Sequence, residues 1–397
     1  MCKGNERRGL TTVTTLLGLT LFAISANILA ATAKLMGEEF GQSEALFVKW
    51  TMPMQFVGFV ALCFLGGVAS DRFGKRVTML LTCVTMAVGS VIWVLAPNIW
   101  VLYLGALVVG MAGGVVETVG SAGLTDLHPT KSKLFMNLSQ VFYCIGAISV
   151  GAFTGMLIER GVPWRAFYIV LAVVAVALGC AFAFSHFPKK ESEVRGSDGP
   201  GGLQLIMKLL PSVWLPSLAV FMYVYAETAL YAFGPNYMKQ LGASDQVSTM
   251  SIAVFWSAVV IGRIACSFLP QKQTYEFVIC GMFLVSSIAA CCQTLATGWM
   301  SAMALIALNG LACAGAWPLM VSMVATRNFE YSGTASGIAI GVGALGCIIS
   351  PLTLGSVFDQ GHTEKAFLLL GASFLLGFVC ILGTYFQYRH SQSKGRQ

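Results

Sequence analysis

The chain has 397 residues, 56% of them hydrophobic and only 10% charged. A soluble domain carries about 25% charged residues, so composition excludes a water-exposed globular protein. The net charge of +7 is then a matter of which side of a membrane the basic residues occupy, not of nucleic acid.

Apolar runs long enough to cross a bilayer as helices follow one another along the whole chain. The first six are expected at 12–33, 47–68, 77–95, 101–123, 134–157 and 165–186. The first run begins near Thr11 without a small-residue processing site, so it reads as a retained span and not a cleaved leader. The polar stretch Pro188 to Gly202, PKKESEVRGSDGPGG, has linker composition. Six further spans are expected at 209–236, 247–268, 276–296, 299–324, 334–356 and 365–386. This divides the chain into a bundle over 1–187, a linker over 188–208 and a bundle over 209–397. The abundant glycines, 43 in all, suit helices packed closely in lipid. The twelve cysteines lie mostly inside apolar segments without a CxxC pair and read as small hydrophobes, not metal ligands.

Lysine and arginine set the orientation. With the N-terminus inside, 18 of the 24 fall in cytoplasmic segments, Arg263 and Arg327 counted among them. Both termini and the linker are therefore expected in the cytoplasm. The halves also share a register at an offset of 200 residues. Gly110 and Ala112 match Gly310 and Ala312, Gly146 matches Gly346, Gly155 to Gly161 matches Gly355 to Gly361, and Ala166-Phe167 match Ala366-Phe367. Two six-helix repeats about an axis along the membrane normal are a transporter arrangement, with its site near the midplane.

Between spans two and three stands Gly67-Val-Ala-Ser-Asp71-Arg72-Phe-Gly74-Lys75-Arg76. Gly67 allows close helix contact, and Asp71 can meet a basic residue or a helix N-terminus. Gly74 permits a tight turn, and Arg72, Lys75 and Arg76 hold the loop inside. This stretch resembles the signature loop of the major facilitator superfamily. The resemblance implies an all-α polytopic membrane protein of the major facilitator fold. Twelve transmembrane helices would form two six-helix halves related by a pseudo-two-fold axis, with this loop governing conformational switching.

Ionisable and amide groups within spans are candidate sites, because burying them in lipid is costly. Glu117 stands in span four among Gly110, Gly113, Gly114 and Gly120, which would leave room for a small polar ligand. Glu227 stands in span seven, four residues from both Tyr223 and Tyr231 and so on their helical stripe. Asn137 and Gln140 share a face of span five. Asn27 in span one takes the place of Glu227 at the 200-residue offset. Asn309 and Trp317 lie in span ten, Trp317 in the place of Glu117. Amides can bond hydroxyls and a ring can stack on a hexose. Each amide alone also reads as a hydrogen bond between helices.

Glu117-Thr118, the segment Phe135 to Ala147 and Tyr225-Ala-Glu227 resemble the fucose–galactose–glucose proton symporter family. By that resemblance Glu117 and Gln140, with Asn137, belong to a sugar cavity, and Tyr143 stands where the fucose symporter has an asparagine. That symporter's span-one acid is missing from Asn27 to Thr32, so proton coupling falls to Glu117, alone or with Glu227. The expected function is secondary transport of a small neutral, hexose-like solute by alternating access, coupled to protons. Another small solute, drug efflux, and a sodium-coupled or uncoupled sugar carrier remain alternatives. Catalytic clusters of a membrane enzyme and an ATP-binding loop are missing from the sequence. The expected partners are a sugar, a proton and the lipid of a plasma membrane (a bacterial inner membrane), without nucleic acid, cofactor or metal, for a chain working as a monomer.

Overall fold

The computed structural model describes residues 2–128, 132–187, 202–267, 275–328 and 332–394. The expected linker from Pro188 to Gly202 lies, but for its last residue, outside them. Twelve described helices are long and apolar enough to cross a membrane. Spans one to six are Arg8–Glu39, Glu44–Cys63, Lys75–Leu95, Ile99–Leu124, Leu138–Glu159 and Trp164–Ala183. Spans seven to twelve are Met207–Ala232, Asp245–Cys266, Tyr275–Leu295, Trp299–Val324, Ala335–Asp359 and Thr363–Arg389. A helix is what the apolar run must form in lipid, since each backbone N–H and C=O has to find its partner within the segment.

The helix starts are written in short polar residues. Ser43 accepts from the N–H of Leu46, and Asn98 accepts from those of Trp100 and Val101, 3.1 Å each. Gly74 ends one helix and precedes the next with φ at 83°, a left-handed geometry that favours glycine. The tight turn expected of the signature loop is there.

The chain divides into two compact units, residues 1–194 with 244–253, and residues 195–243 with 254–397. The division cuts the eighth span. Its first turns group with the first unit, where Lys34 pairs with Asp245 at 3.3 Å and Glu159 accepts the N–H of Gln246 at 2.7 Å.

Within the first unit, spans two and four approach backbone to backbone. A Cβ at Gly110 would overlap the carbonyl of Gln55, and one at Gly114 that of Phe59. The same repeat is legible in both units. Span four and its extension run Ile99–Val115, Val116–Gly120 and Ser121–Leu127, against Trp299–Cys313 and Ala316–Arg327 in span ten. They begin and end 200 residues apart. In each unit a side chain closes the turn between the third and fourth spans. Trp93 Nε1 donates to Leu102 O at 2.6 Å, and Gln293 Nε2 donates to Ala302 O at 3.1 Å.

Candidate functional site

Span four is not a plain α-helix. Its hydrogen-bond ladder slips into one π turn, Val116–Gly120, and Glu117 stands in that turn. π bulges are rare and recur at functional sites, because the extra residue re-aims side chains and loosens the local carbonyls. Glu117 is half-buried, and Gln140 Nε2 of span five points at its Oε1 from 3.5 Å. Thr118 Oγ1 donates to Gly114 O at 2.9 Å, and Cys63 of span two points its thiol at the same carbonyl, 3.6 Å away. The same unit holds a cluster of three rings. Phe22 stacks on Phe59 at 5.4 Å between centroids and meets the edge of Tyr143 at 5.7 Å.

The expectation that glycines leave room around Glu117 is corrected. Gly110 and Gly114 are filled by the backbone of span two, and Gly113 by the ring of Phe22. The glycines permit close packing, and the π turn is what sets Glu117 off. Cys63, Phe22 and Phe59 were missed by sequence reasoning. A thiol and two phenyl rings in apolar spans carry no local mark, and only the neighbourhood distinguishes them.

The second unit has its own polar cluster. Tyr223, fully buried, donates from Oη to Glu227 Oε1 at 2.6 Å. The stripe expected from their spacing is real for this pair. Tyr231 instead packs its ring against Trp256 at 5.8 Å. Arg263, counted with the cytoplasmic segments, lies in the last turn of span eight, its Nε facing Ala314 O at 3.4 Å.

Asn27 and Asn309 are fully buried, and each donates to the carbonyl four residues back in its own helix, Ala23 at 2.9 Å and Leu305 at 3.2 Å. Asn309 Oδ1 is buried without a hydrogen-bond partner among the described residues. Trp317 is half-buried at the second residue of the helix that resumes span ten. Gly67, Asp71, Arg72 and Asn137 lie outside the residues whose packing is described. In the signature loop, Lys75 pairs with Asp126 and Arg76 donates to Ala183 O, so both basic residues do more than hold the loop inside. No group of His, Cys, Asp and Glu fit to hold a metal occurs among the described residues.

The family profile described as Major Facilitator Superfamily matches residues 15–274, well over half of the chain. The chain belongs to this superfamily. It is a multi-pass membrane transporter, not an enzyme. Several relatives are similar at low identity. The nitrite extrusion protein of Bacillus subtilis is 24% identical over 81% of this chain and 81% of its own length. The glucose/mannose transporter GlcP of the same organism is 22% identical over 80% of this chain and 83% of its own. The vacuolar membrane amino acid uptake transporter fnx2 of Schizosaccharomyces pombe is 27% identical, but the match spans 44% of this chain and only 30% of that protein. Among solved structures, a D-xylose-proton symporter superposes with a TM-score of 0.73 at 15% identity, covering 96% of this chain and 97% of that one. The fucose:proton symporter FucP of E. coli superposes with a TM-score of 0.67 at 17% identity, covering 94% and 98%. These superpositions establish the major facilitator fold.

Proposed function

We propose that this superfamily member is a secondary transporter of a small neutral, hydroxyl-rich solute of hexose type, driven by protons through alternating access. The observation that carries the reading is the Glu117–Gln140 pair, an acid on a π turn faced by an amide, in a unit that also holds the Phe22, Phe59 and Tyr143 ring cluster. A carboxyl and a carboxamide together donate to and accept from hydroxyls, and rings cover the apolar face of a sugar. A carboxylate in a low-dielectric place is costly unless it is paired or protonated, so Glu117 is suited to load a proton with the substrate. The sugar transporters among the relatives and neighbours support this reading. The basic residues put the termini and the linker in the cytoplasm, and the bacterial relatives support a plasma membrane location.

A second reading has its own observation. Arg263 faces the backbone carbonyl of Ala314 at 3.4 Å from the last turn of span eight, and a guanidinium there would suit a solute bearing an acid group, such as a hydroxylated organic anion. Proteoliposome uptake separates the two. Labelled hexoses and labelled organic acids are offered with and without an inward proton gradient. Accumulation of a hexose that collapses with the gradient supports the first reading. Accumulation of the acids alone supports the second.

A further inference from the structure

Spans one, five and six leave a cavity of about 290 Å³ between them. Its floor is buried at Ile28, Val150 and Leu171, and along its rim Phe153, Val170 and Val174 are exposed. It is therefore a groove open on one side. Gly151 and Gly155 pack against the first turns of span eight. Phe153, between them in sequence, falls on the other side of span five, so the groove opens away from that contact. None of its lining residues belongs to the polar clusters around Glu117 and Glu227.

The wall and its outer end together decide the occupant. Ten of the twelve lining residues are apolar, and Ser149, one of the other two, spends its hydroxyl on Gly146 O at 2.7 Å. Such a wall offers little to a hydroxyl-rich solute and suits hydrocarbon. The bilayer is itself apolar, so an acyl chain gains in the groove by packing alone. What holds one lipid in preference to the rest is charge at headgroup depth. Span five carries Phe153, Leu157 and then Arg160, at spacings of four and three, on one stripe of the helix. The N–H of Arg160 still donates to Met156 O at 3.3 Å, so the helical register reaches it. Arg160 is exposed and stands one residue beyond the end of the span at Glu159. Arg165 nearby is held by both carboxylate oxygens of Glu39, at 2.7 and 2.5 Å. Among the described residues no ion pair engages Arg160. A guanidinium matches a phosphate with parallel N–H donors, and basic residues at this depth attract lipids of net negative charge.

We propose that the groove and Arg160 form a binding site for one anionic phospholipid. An acyl chain lies along spans one, five and six, and the guanidinium holds the phosphate. The lipid belongs to the leaflet away from the signature loop, because spans three to five carry the chain from the Gly74 turn to the opposite side of the membrane. The site does not depend on which solute is moved.

The test reconstitutes the full-length protein in phosphatidylcholine vesicles with a trace of phosphatidylglycerol that carries a diazirine midway along one acyl chain. After photolysis, peptides covering 149–157 and 167–174 should carry severalfold more label than the span-three peptide with Val84, Val88 and Val91, whose exposed side chains report ordinary contact with the bilayer. Unlabelled phosphatidylglycerol should compete, and inorganic phosphate should not. Arg160→Gln should lower the groove labelling about fivefold, the loss for one basic residue at a charged headgroup. Val170→Trp, which sets an indole across the rim, should lower it as well. Both positions are exposed, so neither substitution disturbs the packed interior, and the wild-type labelling pattern is decisive without them. Equal labelling of span three would leave ordinary bilayer contact only, and displacement by inorganic phosphate would leave an anion site without a lipid. Either result overturns the proposal, as does groove labelling that Arg160→Gln leaves unchanged.

Discussion

Glu276 pairs with Arg327, 51 residues further along the chain. Lys75 pairs with Asp126 across the same separation, 51 residues, in the first unit. The two ion pairs tie equivalent helix ends with the charges exchanged. Glu276 lies in the first turn of its helix and Arg327 in the last turn of its own, where the helix dipoles favour them. Lys75 opens its helix and Asp126 sits at the end of Ser121–Leu127, where the dipoles oppose them. Each such placement contributes roughly 0.3–1 kcal/mol. Exchanging the charges within a pair keeps the bridge and inverts the dipole contribution. Lys75→Glu with Asp126→Lys should therefore raise the melting midpoint, and Glu276→Arg with Arg327→Glu should lower it. Midpoints that move in the same direction would refute the dipole account.

Close packing at glycine gives a paired test. Gly110 and Gly114 have span-two carbonyls where a Cβ would go, and Gly281, within the Tyr275–Cys292 helix, has open space there. Gly114→Ala should cost several kcal/mol, of the order seen for overpacked cores, and reduce the yield of folded protein. Gly281→Ala should be neutral or stabilise by up to about 1 kcal/mol through helix propensity. Size-exclusion profiles and melting midpoints of the two variants in one detergent compare them directly.

Much of the fold was legible because lipid leaves a long apolar run little choice but a helix. The Tyr223–Glu227 contact followed from a four-residue spacing, and the Gly74 turn from one glycine in a charged loop. The rest depends on neighbours across the bundle. Spacing could not show that Gly110 and Gly114 are filled by span two, because a glycine marks a close approach and an empty pocket alike. The π turn has no composition of its own.

The linker provides a test of orientation. A cysteine replacing Ser197, in a chain whose native cysteines are replaced, should react with an impermeant thiol reagent only in inside-out vesicles. Labelling in right-side-out vesicles would reverse the proposed topology.

Glu117 is the residue on which the proposed coupling turns. It stands on the π turn of span four with Gln140 Nε2 at 3.5 Å. Glu117→Gln keeps the shape and hydrogen-bonding capacity of the protonated acid but fixes it in the neutral form. If proton loading at Glu117 powers uphill transport, the variant should still bind hexose and exchange it between equal pools. Exchange should stay within about tenfold of wild type, the cost of one altered hydrogen bond, while accumulation on a proton gradient falls to the equilibrium ratio. Glu117→Ala removes the hydroxyl partners as well and should weaken binding by roughly 10- to 100-fold. Gln140→Ala should weaken binding but leave accumulation dependent on the gradient, since the amide does not titrate. The measurement is counterflow and pH-driven uptake on one preparation of vesicles. A Glu117→Gln protein that concentrates hexose as well as wild type would remove Glu117 from the coupling role.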